Sequence, residues 1–113
     1  MAGCVLRIEA EGIGCPTDLT PASQSSRGFV VEVGDADGDR FPDQMQQAIA
    51  FLERHGEELR RISSSPGFRV GELDFGVWNK GIPAQSHSFS PVLARLASQC
   101  GLALTITLYA ADS

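Results

Sequence analysis

Phe68-Arg69-Val70-Gly71-Glu72-Leu73-Asp74-Phe75-Gly76-Val77-Trp78 is the stretch on which the fold turns. Leu73, Phe75 and Val77 fall on one side of an extended chain; Glu72, Asp74, Gly76 and Trp78 fall on the other. Strict alternation describes a strand with one face for a core and one for water or a partner. Phe68 and Val70 are out of phase with the apolar set, which predicts a bulge or bend near Gly71. A doubly wound sheet, covered by helices on both faces, would show near-continuous apolar runs instead.

Three other segments share the one-sided pattern. Cys4 to Glu11 sets Cys4, Leu6, Ile8 and Ala10 against Val5, Arg7, Glu9 and Glu11. Gly28 to Gly34 sets Phe29, Val31 and Val33 against Val30 and Glu32. Leu102 to Tyr109 sets Leu102, Leu104, Ile106 and Leu108 against Ala103, Thr105, Thr107 and Tyr109. Between the first two lies Gly12 to Arg27, rich in Gly, Pro, Ser and Thr, which reads as a mobile loop.

Two helices separate the remaining strands. The first starts near Pro42, with Asp43 complementing the dipole. Met45, Ala48, Ile49, Leu52 and Leu59 form its apolar stripe. Gly56 lies on that stripe, as expected where a helix closely approaches the sheet. Phe51 and Ile62 read as a flank, and Glu57 as a partner for Arg61. The second helix opens at Ser90-Pro91, sets Val92, Leu93, Leu96, Ala97 and Cys100 on one face, and stops at Gly101. The expected fold is one α+β domain over residues 1–113, a two-layer sandwich in the order β-β-α-β-α-β. It has a four-stranded mixed sheet with two helices on one face. The other face would carry Arg7, Glu9, Glu32, Glu72, Asp74, Trp78, Thr105, Thr107 and Tyr109.

The chain has 113 residues, 42% of them hydrophobic and 20% charged, with a net charge of −5. That size suffices for one core without metal or disulfides. Its acidic balance lacks the electrostatic footprint for phosphate backbones or anionic lipid, so nucleic acid and membrane are not expected partners. A basic protein or cationic ligand suits it better. No apolar run is long enough to span a bilayer, and the start does not read as a signal peptide. Cys4, Cys15 and Cys100 match neither a zinc ligand set nor a redox pair, so reduced thiols in the cytoplasm are expected.

No residue cluster announces a reaction. Asp35-x-Asp37-x-Asp39 invites a calcium reading, but Arg40 and Gln46 stand where an EF-hand loop needs Gly and Glu. It reads as a solvated turn. His55 and His87 lack neighbours at metal-ligand spacing, so no metal or cofactor is expected. Cys15, His87 and Asp74 form a chance nucleophile–base–acid triplet unless the fold unites them. Trp78, the sole tryptophan, shares its face with Asp74 and Glu72, and Tyr109 joins it from the last strand. Aromatics among acids on a polar face suit a protein interface, so Trp78, Asp74, Glu72 and Tyr109 are the candidate partner-binding residues. The alternative for Trp78 is a cap on the core edge beneath the 79–89 loop.

Gln44-Met45-Gln46-Gln47-Ala48-Ile49, Leu73-Asp74-Phe75-Gly76-Val77, and the run from Phe89-Ser90-Pro91 to Thr107-Leu108-Tyr109 together resemble small bacterial α+β domains of unknown function. Some of those domains are grouped with immunity proteins of toxin–antitoxin-like competition systems. The acidic balance, the one-sided strands and the absence of a chemical constellation point to a non-enzymatic role. The resemblance speaks to fold, brings no catalytic residues, and offers neutralising a basic toxin as one concrete form. The chain thus reads as a binding module contacting a protein through its open sheet face. Two alternatives stand beside this: a small-molecule or catalytic pocket between the 79–89 loop and Cys15, and a domain that forms homodimers.

Overall fold

In the computed structural model, which describes residues 3–110, the alternating stretch forms β4 (Phe68–Asn79). Before it come β1 (Cys4–Ala10), β2 (Pro21–Ser25), β3 (Gly28–Glu32) and α1 (Phe41–Ser63). After it come α2 (Pro91–Gln99) and β5 (Ala103–Ala110). The strands lie in the order β2-β3-β1-β4-β5. β1 is antiparallel to β3 and β4, β2 is antiparallel to β3, and β5 runs parallel to β4.

The fold is therefore α+β, with two helices and a mixed sheet of five strands rather than the expected four. The addition is β2, inside the segment read as a mobile loop. Its sequence, Pro-Ala-Ser-Gln-Ser, has no apolar alternation because it lies at the sheet edge with all but Pro21 exposed. An edge strand held by main-chain bonds leaves no side-chain period to read. The preceding turn is also anchored, since Pro16 and Leu19 are buried.

Register explains the two faces. Leu6 stands opposite Val31 and Leu73, and Leu73 opposite Leu104, giving a continuous apolar row across four strands. One residue along, Asp74 stands opposite Val5 and Thr105 on the other surface. The expected bulge is present: Glu9 pairs with Val70 but Ala10 with Phe68, so Arg69 is the extra residue. The shift turns Phe68 onto the core side and leaves Val70 exposed. Gly71 sits beneath that ring, where an added Cβ would come within 2.7 Å of Leu102 Cδ2 and 3.1 Å of Phe68 Cζ.

Both helices join the same core as Leu6, Ile8, Leu73, Phe75 and Val77. The α1–β4 connection steps over β1, and the α2 connection joins adjacent β4 and β5. Both links join parallel strands and progress in one direction, so crossovers of the usual right hand cover one face only. α1 carries Asp43 in its first turn and Arg60 and Arg61 in its last, each suited to the dipole. The Ser90 hydroxyl caps α2 by accepting from the Leu93 N–H at 3.4 Å, and Gly101 follows with φ 71°. Three local expectations change. Gly56 approaches Cys100, which caps the end of α2, rather than the sheet, with 3.8 Å between an added Cβ and Sγ. Ile62 is buried in the core rather than on a flank. Arg61 pairs with Glu58, one turn back, and not with Glu57.

Candidate partner-binding face

On the helix-free face the charged residues are organised by Arg7. Its Nη1 donates to Asp74 Oδ2 and, at 3.3 Å, to Glu72 Oε1. The second oxygens are taken by β5: Thr105 Oγ1 donates to Glu72 Oε2 at 2.8 Å, and Thr107 Oγ1 to Asp74 Oδ1 at 2.7 Å. Strand pairing produces this lattice, because Arg7 stands opposite Glu72 on β4, and Asp74 stands opposite Thr105. Asp74 is only 6% exposed, so its charge needs these partners. The Asp74 hydrogen bond in turn raises the Arg7 pKa above its ordinary value.

Of the four candidate residues, the structure therefore separates two kinds. Asp74 is enclosed and fully engaged, and Glu72 is tied to Arg7 and Thr105. Trp78 and Tyr109 are directly in register on β4 and β5. Trp78 is half-buried, its main-chain N–H donating to Gly38 O at 3.1 Å and its main-chain carbonyl accepting from Gln85 Nε2 at 2.8 Å. Tyr109 is 40% exposed. Beside it lies a concavity of about 170 Å³, whose walls include Arg7, Glu32, Asp35, Asp37, Asp74 and Tyr109. Its rim is the turn after β3, which runs alongside the end of β4 where β1 has not yet begun.

That turn is built by α1. Gln47 accepts from the Ala36 N–H at 3.1 Å and donates to Asp35 Oδ1 at 2.6 Å. Asp37 Oδ1 accepts from the Gly38 N–H at 2.7 Å. Gln44, completely buried, donates from Nε2 to the carbonyls of Asp37 and Gly76, both at 2.8 Å. Its Oε1 has no partner among the described residues. Asp35 and Asp37 thus shape a turn, and no group of three His, Cys, Asp or Glu side chains suited to a metal occurs among the described residues.

Cys15, His87 and Asp74 are not united. His87 lies edge-on to Phe41 at the start of α1, with ring centroids 5.3 Å apart, and bonds to Gln85. Cys15 belongs to the turn held by the Asp18–His55 pair, nearly four helical turns or about 21 Å along α1. Asp74 is on the opposite sheet face. Nor is any thiol activated. Burial, then nearby Asp74, pushes Cys4 up to about 12. Burial and Asp18 raise Cys15, and burial raises Cys100 against the opposing influence of Arg60. The pocket read between the 79–89 loop and Cys15 is thus not one site, although a concavity of about 290 Å³ does adjoin the loop, lined by Phe41, Met45, Lys80 and His87.

Sequence reasoning missed the organising role of Arg7 and the buried Gln44. Arg7 was legible as the single cation on the acidic face; Gln44 looked like a surface glutamine at the helix entry. No helix among the described residues is long and apolar enough to cross a membrane. Comparison of the chain with family models, curated proteins and solved structures returned no match.

Proposed function

We propose that this protein is a cytosolic binding module whose helix-free sheet face engages a protein partner. A basic side chain of that partner enters the concavity beside Tyr109. The observation that carries this reading is an exposed aromatic ring at the mouth of an acid-lined hollow. Among the described residues that line it, Glu32, Asp35 and Asp37 outnumber the one cation, Arg7, whose charge is committed to Asp74 and Glu72. An arginine or lysine would meet a negative field while its stem lies on the tyrosine. Neutralisation of a basic toxin, in the manner of an immunity protein, is one concrete form of this role. Cytosolic residence is supported by the three free cysteines.

Affinity capture from cells of the source organism tests the reading, with wild type compared against Tyr109→Arg and Glu32→Lys. A partner held by wild type and by the helix-surface control Glu53→Lys, but lost by both face variants, is the expected result. Retention by the face variants would reject it.

A second reading rests on the hollow under the 79–89 loop, where Gln85 links His87 to the Trp78 carbonyl. A metabolite held there would raise the melting temperature in a thermal-shift screen, and His87→Ala would abolish the rise.

A further inference from the structure

The two edges of the sheet differ in a way that the open-face reading does not use. β2 is five residues long, begins with Pro21, and departs from regular register between Pro21 and Ser23. Shortness, proline and irregularity are the devices by which proteins protect an edge from pairing. β5 has none of them. It is eight residues, Ala-Leu-Thr-Ile-Thr-Leu-Tyr-Ala, without charge or proline, and its pairing with β4 is unbroken from Ala103 to Ala110. Among the described residues no strand pairs with its outer edge. The apolar row is also incompletely covered: Leu104 and Ile106 are half-buried and Leu108 is 51% exposed, and Val92 at the start of α2 is exposed as well.

We propose that β5 is a pairing edge for a second copy of this chain, joined antiparallel about a two-fold axis to make a continuous ten-stranded sheet. The occupant follows from charge and pattern. A foreign strand carrying charge finds no complement on β5, whereas self-pairing of an uncharged strand opposes no like charges. A two-fold through Ile106 sets Ile106 against itself and Leu104 against Leu108 on the helix side. On the open side it sets Thr105 against Thr107. Every register with the same parity keeps apolar beside apolar and hydroxyl beside hydroxyl. A groove of about 510 Å³ between α2 and β5, lined by Ala94, Ala97, Ser98, Leu102 and Leu104, leaves room for the second copy's Leu108. The helices of both copies stay on one side, and the two open faces merge, with each Tyr109 brought toward the seam.

Sedimentation equilibrium of the full chain across the micromolar range, joined to amide hydrogen exchange resolved along β5, tests this. Wild type is expected at twice the chain mass, with outward β5 amides exchanging more slowly as concentration rises. Ile106→Lys, which sets two ammonium groups against each other, and Leu108→Lys, which sets one against Leu104, should weaken the dimer by roughly tenfold or more while keeping wild-type Trp78 emission. Should Ile106→Lys fail to fold, Leu108→Lys and the wild-type exchange profile decide. A single-chain mass with freely exchanging β5 amides would overturn the proposal. So would a dimer indifferent to Leu108→Lys, or β5 protection that appears only when another protein is added. The mass and the response to Leu108→Lys do not bear on the acid-lined hollow, which each copy carries by itself, so the dimer can fail while the partner reading stands.

Discussion

Arg7 and Asp74 show how an acidic face is kept from destabilising its own sheet. Asp74 is buried, and its two oxygens are engaged by a guanidinium and a threonine hydroxyl. Removing the guanidinium leaves a charge with one partner. Because Arg7 is 43% exposed, water can replace part of what is lost, so Arg7→Met should cost about 2 kcal/mol, below the range for a fully buried pair. Arg7→Met combined with Asp74→Leu should recover much of that loss; urea unfolding of the single and double variants measures the coupling. Cys4 offers a pH signature. The unfolded thiol ionises near 9, whereas burial pushes the folded thiol up to about 12. The folded state therefore holds the proton more tightly, and its advantage, complete below pH 9, is lost as pH rises toward 12. Wild type should lose stability over that window more steeply than Cys4→Ala, and equal slopes would exclude the effect.

At the scale of elements, α1 does two jobs: it covers the sheet, and through Gln44 and Gln47 it holds the turn that rims the hollow. Gln44→Met should cost about 2 kcal/mol, since the Gly76 carbonyl loses a buried donor and the Asp37 carbonyl is left with the Arg40 N–H, while the orphan Oε1 is removed. Gln44→Glu should cost more, because a carboxylate would face the same two carbonyls. Chemical denaturation reads both, and a stabilised Gln44→Met would show that the two bonds contribute less than the orphan oxygen costs. The strands facing the core were legible because burial on one face imposes a period of two. β2 was not, since its ladder is made of main-chain bonds that any polar sequence can supply. Helix ends were legible from Pro42, Ser90 and Gly101. The neighbour of Gly56 was not, because the angle between two helices is set by packing that no local pattern records. Of the candidate face, Trp78 and Tyr109 were legible by parity alone. The engagement of Asp74 depended on register across three strands.

For the whole molecule, a single asymmetry matters most: the helices shelter one surface of the sheet, and the acids, the aromatic pair and the hollow share the other. Partner binding at that surface would leave α1 and α2 exposed in the complex. Amide hydrogen exchange of the captured complex, compared with the free protein, reads this residue by residue. Slowed exchange is expected around Val5, in the 34–38 turn and toward Tyr109, with the exposed helix surfaces unchanged. Protection confined to the outer faces of α1 and α2, with the turn and the end of β5 exchanging as in the free chain, would contradict it.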